Sequence, residues 1–218
     1  MELRAVIFDL DGVIVSTDEC HYKAWKRMAD EENIYFDKEI NKRLRGVSRM
    51  ESLNIILERS KKEYTPAEKE ELANRKNSYY RELIQQLTPD DILPSVMDVL
   101  SELKNNHIKI AIGSSSKNTS IILERIGLAT YFDAVADGTH ISNSKPDPEV
   151  FLLAAKMLDI PPENCLVVED ADAGVEAAIA GGMKVLGIGT AAANPKANYM
   201  AKDLTNISLL RLVKMPST

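Results

Sequence analysis

Cysteine is scarce in this chain of 218 residues: Cys20 and Cys165 are the only two, they lie far apart, and neither has a metal-type spacing. That argues against a disulfide-stapled secreted scaffold and a cysteine metal site, leaving two reduced, mostly buried thiols as the expectation. Positive charge is in deficit as well. Lys and Arg number 27 against 33 Asp and Glu, the net charge is −6, and no block of five basic residues occurs. Nucleic acid and anionic membrane surfaces are therefore not expected partners. No run approaches the roughly 18 apolar residues that a membrane span needs. The opening MELRAVIFDLDG has an acid at position 2 and another at position 9, unlike a signal peptide, so a cytoplasmic location is expected. No internal repeat, low-complexity segment, GxGxxG or Walker pattern is present. What is there is ordinary globular material, 44% hydrophobic and 28% charged, enough for one sizeable core or a core plus a smaller unit.

Four short runs rich in Val and Ile stand out: Ala5–Phe8, Ile108–Ile112, Leu166–Val168 and Val185–Ile188, with residues 132–138 (FDAVADG) a weaker fifth. Each is too short for a helix and fits a strand buried on both faces. Between them lie helical patterns at Ser95–Asn106, Asn118–Gly127 and Pro148–Asp159, the second closing on a glycine and the third opening on a proline. Such alternation predicts a parallel sheet with helices on both faces. The first strand breaks the rule. After Val15 come only helical patterns, at Thr17–Glu32, Asp37–Leu44, Met50–Ser60 and Pro66–Leu87, until the proline-bearing stretch 88–94. The expectation is an α/β, Rossmann-like parallel-sheet core (residues 1–15 and 93–218) with an inserted α-helical cap domain (residues 16–92).

Polar clusters follow the predicted strands: Asp9 and Asp11 after AVIF, Ser114–Ser116 after IKIAIG, Lys145 in SKPDP, and Glu169 and Asp170 after LVV. In an open α/β sheet, ligands collect beyond the carboxyl ends of the strands. Each cluster alone has a plainer reading. DLDG reads as a turn; Glu169 and Asp170 read as helix caps; Lys145 reads as a solvated loop lysine. A calcium loop fails, since its fifth and twelfth positions would be Val13 and Cys20. Together the clusters supply carboxylates without His or Cys, which suits a hard cation such as Mg²⁺, and a hydroxyl with an ammonium, which suits phosphate. Phosphoryl transfer needs chiefly charge neutralisation. Asp9 is then the candidate nucleophile and Asp11 the candidate acid/base, with Gly12 permitting a sharp turn. In the inserted segment, His21 shares a stripe with Trp25 and Met28 and has a packed histidine as its default reading. Lys76 interrupts the stripe Leu72, Tyr79, Leu83, Leu87, either as a snorkelling lysine or as an ammonium aimed at a cleft.

DLDGV, the serine after the second strand, the lysine of SKPDP and the ED of VVEDADAG resemble, in order, the four motifs of the haloacid dehalogenase (HAD) superfamily. The DxD form marks its phosphoryl-transferring branch. HYKAWK, LRGVSRMESL, RKNSYY and SSSKN, largely in the inserted segment, tighten the resemblance to the bacterial β-phosphoglucomutase family over nearly the whole chain. That resemblance implies the HAD fold, with Asp9 holding the phosphoryl group and Asp11 as general acid/base. It implies Mg²⁺ on Asp9, the Asp11 carbonyl and Asp170, with Glu169 close by. Ser114 and Lys145 would bind the transferring phosphate. Ser116, Lys117 and Asn118 would bind substrate, the last two near the second phosphate. Arg49 would hold the non-transferring phosphate, and His21 and Lys76 would position Asp11 and the sugar. Trp25, Arg45, Gly46, Val47, Ser48 and Ser52 would complete the sugar site. The chain departs from the family's habit at Ser16, Arg45, Ala171 and Asp172, none of which removes a catalytic group.

The implied reaction interconverts β-glucose 1-phosphate and glucose 6-phosphate through β-glucose 1,6-bisphosphate, with small sugar phosphates as the only partners and a monomer as the expected state. The alternatives are a Mg²⁺-dependent sugar-phosphate phosphatase on the same core, and a catalytically silent binding protein, against which the four intact motifs argue.

Overall fold

The computed structural model describes residues 3–44 and 47–214. The described chain divides into two compact units, one running up to Ser16 and resuming at Thr88, the other Thr17–Leu87. In the first unit, β1 (Ala5–Phe8), β2 (Lys109–Gly113), β3 (Ala134–Ala136), β4 (Cys165–Glu169), β5 (Lys184–Gly187) and β6 (Tyr199–Met200) form one sheet. All its pairings are parallel, in the order β3-β2-β1-β4-β5-β6. Strand β1 is buried along its whole length, as its unbroken apolar sequence requires. The weaker run at 132–138 does yield β3. Strand β6 has no counterpart in the sequence reading, because two residues leave no period to detect.

In the second unit, α1 (Asp18–Glu31), α2 (Lys38–Lys42), α3 (Arg49–Leu57) and α4 (Pro66–Ile84) pack around Trp25, Met28, Phe36, Leu53, Ile56 and Leu72. Three of the four helices begin on a capping side chain. Asp37 accepts from the Ile40 N–H, Ser48 from the Glu51 N–H, and Thr65 from the Glu68 N–H while Glu68 returns the bond to the Thr65 N–H. The buried face of α4 differs from the stripe read in the sequence. It comprises Leu72, Ala73, Lys76, Tyr80 and Ile84, while Tyr79 and Leu83 are only half-buried. A rotation of one residue suffices for this, and surface partners stabilise it. The Tyr79 hydroxyl donates to the Glu31 carboxylate, and the Arg27 guanidinium lies 3.7 Å from the ring centroid.

Back in the first unit, α5 (Val96–Asn105), α6 (Thr119–Arg125), α7 (Glu149–Leu158), α8 (Asp172–Ala180) and α9 (Leu209–Lys214) accompany the strands. The core includes Ile7, Ala111, Phe151, Val167, Val175 and Val185. The segment leaving the sheet and the segment returning to it are joined: the Leu93 N–H donates to the Ile14 carbonyl, and Val15 and Ile92 form an antiparallel bridge. Register then aligns the strand ends. Phe8 pairs with Ile112 and Val168, and Gly113 with Ala136. The residues that follow these ends are Asp9, Ser114, Asp137 and Asp170.

Candidate active site

Asp9 leaves β1 with its N–H bonded to the Val168 carbonyl and its carboxylate buried. Lys145, from the loop before α7, reaches in with its Nζ 2.5 Å from Asp9 Oδ1 and 2.8 Å from Glu169 Oε2. This rejects the solvated-lysine reading, since the side chain is only 10% exposed. Burial opposes charge on Lys145, but the Asp9 and Glu169 carboxylates outweigh it and raise its pKa. Its ammonium also lies 4.4 Å from the Phe151 ring centroid, a contact the sequence did not suggest. Glu169 Oε1 accepts the N–H groups of Asp170 and Ala171 just before α8, whose N-cap position, Ala171, offers no capping side chain. Burial raises the Glu169 pKa, with the Lys145 ammonium pulling against it. Glu169 fits there only because residue 174 is glycine: a Cβ at Gly174 would stand 2.0 Å from its Cδ.

Ligand oxygens of Asp9, Glu169 and Asp170 lie within 4.8 Å of one another. Asp170 is the least compensated. Burial, then the carboxylates of Asp9, Glu169 and Asp11, push its pKa up to about 8. One ammonium facing this all-oxygen set leaves excess negative charge, which fits a divalent hard cation. Gly12 closes the far side with φ +88°, a conformation that favours glycine, and a Cβ there would meet Asp170 Oδ2 at 2.2 Å. Asp11 is half-buried, its backbone bridges to Val15, and its charge reaches Asp170, but its side chain is not part of the three-carboxylate cluster.

Ser114 is buried after β2, its N–H bonded to Ala136 O and its Oγ accepting from the Ser116 N–H. Ser116 Oγ accepts from the N–H of Asn118, a buried residue, while Lys117 is exposed. Ser115 Oγ accepts the Lys145 N–H at 3.4 Å, tying this loop to the lysine's own.

In the helical unit, Lys76 is buried, which rejects snorkelling. Its Nζ stands 2.8 Å from His21 Nδ1 and 4.7 Å from the ring centroids of Trp25 and Tyr80. His21 stacks on Tyr80 at 4.1 Å, and its pKa is held well below the ordinary value by burial and then by the positive charges of Lys76 and Arg49. The sequence reading missed Tyr80, whose hydroxyl donates to Thr17 Oγ1, because Tyr79 occupied the expected stripe. Arg49 is half-buried in the first turn of α3, burial lowers its pKa, and it has no ion-pair partner among the described residues. Ser48 caps that helix, Ser52 is buried on it, and Val47 is half-buried before it. Arg45 and Gly46, also expected at the sugar site, lie outside the described residues.

A sequence model described as a haloacid dehalogenase-like hydrolase matches residues 3–182. The chain is 44% identical over 209 residues to a β-phosphoglucomutase of Bacillus subtilis strain 168, covering 95% of this chain and 92% of that protein. It is 32% identical over 185 residues to a phosphorylated carbohydrates phosphatase of Thermotoga maritima, covering 84% and 83% of the two chains. In three dimensions it is similar to the crystal structure of a β-phosphoglucomutase from Clostridium difficile, with a TM-score of 0.87 and 40% identity over 96% of this chain and 95% of that one. An enzyme's acid cluster, the matching sequence model and these similarities agree: the chain belongs to the haloacid dehalogenase-like hydrolase family, among the relatives of β-phosphoglucomutase.

Proposed function

We propose that this enzyme is a β-phosphoglucomutase, interconverting β-D-glucose 1-phosphate and D-glucose 6-phosphate by phosphoryl transfer to and from Asp9. The observation that carries the reading is the buried Asp9–Lys145–Glu169 contact at the strand ends, in a chain so similar to a named β-phosphoglucomutase over almost its full length. Asp9 attacks phosphorus without needing a base, since a carboxylate is already a nucleophile. As the new P–O bond forms and the bond to the sugar oxygen breaks, Asp11 gives that oxygen its proton. In the return half-reaction Asp11 takes the proton of the attacking sugar hydroxyl. Lys145 offsets the charge gathering on the phosphoryl oxygens, and Ser114 donates a hydrogen bond to one of them. Mg²⁺ is the proposed cation, held by Asp9, Asp170 and the Asp11 carbonyl with Glu169 beside them, and it supplies further neutralisation of the phosphoryl oxygens.

Arg49 is the proposed holder of the non-transferring phosphate: a half-buried guanidinium without a carboxylate partner among the described residues suits a dianion. Ser116, Lys117 and Asn118 are proposed to complete the phosphate contacts, and Lys76 and His21 to meet the sugar. The test incubates the protein with β-glucose 1-phosphate, Mg²⁺ and a trace of β-glucose 1,6-bisphosphate. Glucose 6-phosphate forms with the natural chain and not with Asp9→Asn; equal turnover by the two would refute the role given to Asp9.

A further inference from the structure

The turn after β3 has no part in the chemistry described so far, yet it is built against the phosphate-binding loop. Asp137 is buried there, 4% exposed, and its Oδ1 accepts the Thr139 N–H at 2.8 Å and the Thr139 hydroxyl at 2.6 Å. His140 Nδ1 accepts the Asp137 N–H at 3.3 Å, and the His140 N–H donates to the Asp137 carbonyl at 2.9 Å. These bonds fold residues 137–140 into a tight turn. The turn presents Gly138 to the Ser114–Asn118 loop, where the Gly138 N–H donates to the Ser116 carbonyl at 3.1 Å. The fit leaves no room: a Cβ on Gly138 would lie 2.3 Å from the Ser115 carbonyl oxygen and 2.9 Å from the Ser116 carbonyl carbon. Gly138 is not among the glycines with positive φ, so its side-chain hydrogen serves closeness and not backbone conformation. On the other side of the same loop, Ser115 Oγ accepts the N–H of Lys145, whose ammonium touches Asp9 and Glu169.

We propose that Asp137 and Gly138 are positioning residues for phosphoryl transfer, clamping the Ser114–Asn118 loop and, through Ser115, the backbone of Lys145. The inference rests on the reading of Asp9, Ser114 and Lys145 given above. Neither residue touches substrate. Asp137 shapes the turn, Gly138 lets it close on the loop, and the loop sets where Ser114 and Lys145 present their donors.

The steric probe is Gly138→Ala. Its new methyl falls about 1 Å inside ordinary contact with the Ser115 carbonyl, so the loop has to move by about that much. A misplacement of about 1 Å at a phosphoryl-binding loop corresponds to about a hundredfold loss in kcat/KM. The assay is conversion of β-glucose 1-phosphate to glucose 6-phosphate with Mg²⁺ and a trace of the 1,6-bisphosphate, alongside the inhibition constant of inorganic phosphate, the affinity for Mg²⁺ and the melting temperature. The expected result for Gly138→Ala is a fall in kcat, a rise in both KM and the phosphate inhibition constant, and unchanged Mg²⁺ affinity, since Asp9 and Asp170 lie outside the clamp. Asp137→Ala should lose activity in the same pattern and Asp137→Asn, which keeps the acceptor oxygen, should restore most of it. That pair decides the matter if Gly138→Ala does not fold. Folded Gly138→Ala with natural kcat, KM and phosphate inhibition overturns the proposal, as does natural activity in Asp137→Ala. An absence of Asp9-dependent turnover in the natural protein would instead remove the underlying reading, so the two failures are distinguishable.

Discussion

At the scale of single residues, the site is a problem of compensating charge, and Lys145 does most of it. Among the described residues, its ammonium is the one positive group in direct contact with both Asp9 and Glu169. Lys145→Ala leaves buried carboxylates unpaired, which costs about 3 kcal/mol of stability, and under the proposed mechanism it also removes neutralisation from the transferring phosphoryl group. Urea unfolding of this variant should show that loss in chelator and part of it recovered in Mg²⁺. An unchanged midpoint in chelator would mean that the ion pair is not compensating the acids. Asp170 gives a pH signature. Its folded pKa, about 8, stands above its ordinary 3.8, so its contribution to stability is complete below about pH 4 and is lost as pH rises towards 8. Metal-free protein should therefore weaken across that interval, and a bound divalent cation should flatten the dependence. Cys165 is chemically quiet by contrast, its thiol pushed up to about 12 by burial and by the nearby Glu163.

At the scale of elements, helices α1 and α4 hold an ammonium in an aromatic surround. The stacked Tyr80 ring touches both His21 and Lys76. Tyr80→Leu should loosen the pair and lower mutase turnover, whereas Tyr80→Phe keeps the ring and should retain most of it; equal loss in both would assign the role to the hydroxyl bond with Thr17. His21 predicts a pH effect of its own. Its folded pKa lies well below the ordinary 6.5, so the stability tied to its neutral form is complete above about pH 6.5 and lost as pH falls below it. Urea midpoints should drop on acidification, and less so in a His21→Asn variant. Strands β1 to β5 were legible in the sequence because each is a short apolar run closed by polar or glycine residues, and the acids at Asp9, Glu169 and Asp170 could be placed at their ends, whereas the two-residue β6 was not. The face of α4 was not, since two tyrosines in succession let the apolar stripe be drawn one residue out of phase. The clamp around Gly138 was invisible for a different reason: it depends on backbone closeness between β2 and β3 loops, which leaves only a glycine as its trace.

At the scale of the whole molecule, a parallel sheet gathers Asp9, Ser114, Glu169 and Asp170 at strand ends, and a separate helical unit carries His21, Arg49 and Lys76. No helix among the described residues is long and apolar enough to cross a membrane. Relatives at 32% identity are named as phosphatases, so under the proposed mechanism the balance between water and sugar at the phospho-aspartate is what distinguishes a mutase. The measurement that tests this most directly follows glucose 6-phosphate and free phosphate together, starting from β-glucose 1-phosphate with Mg²⁺ and a trace of the 1,6-bisphosphate. The account predicts glucose 6-phosphate with little phosphate released. Free phosphate with little glucose 6-phosphate would contradict it and make the enzyme a sugar-phosphate phosphatase.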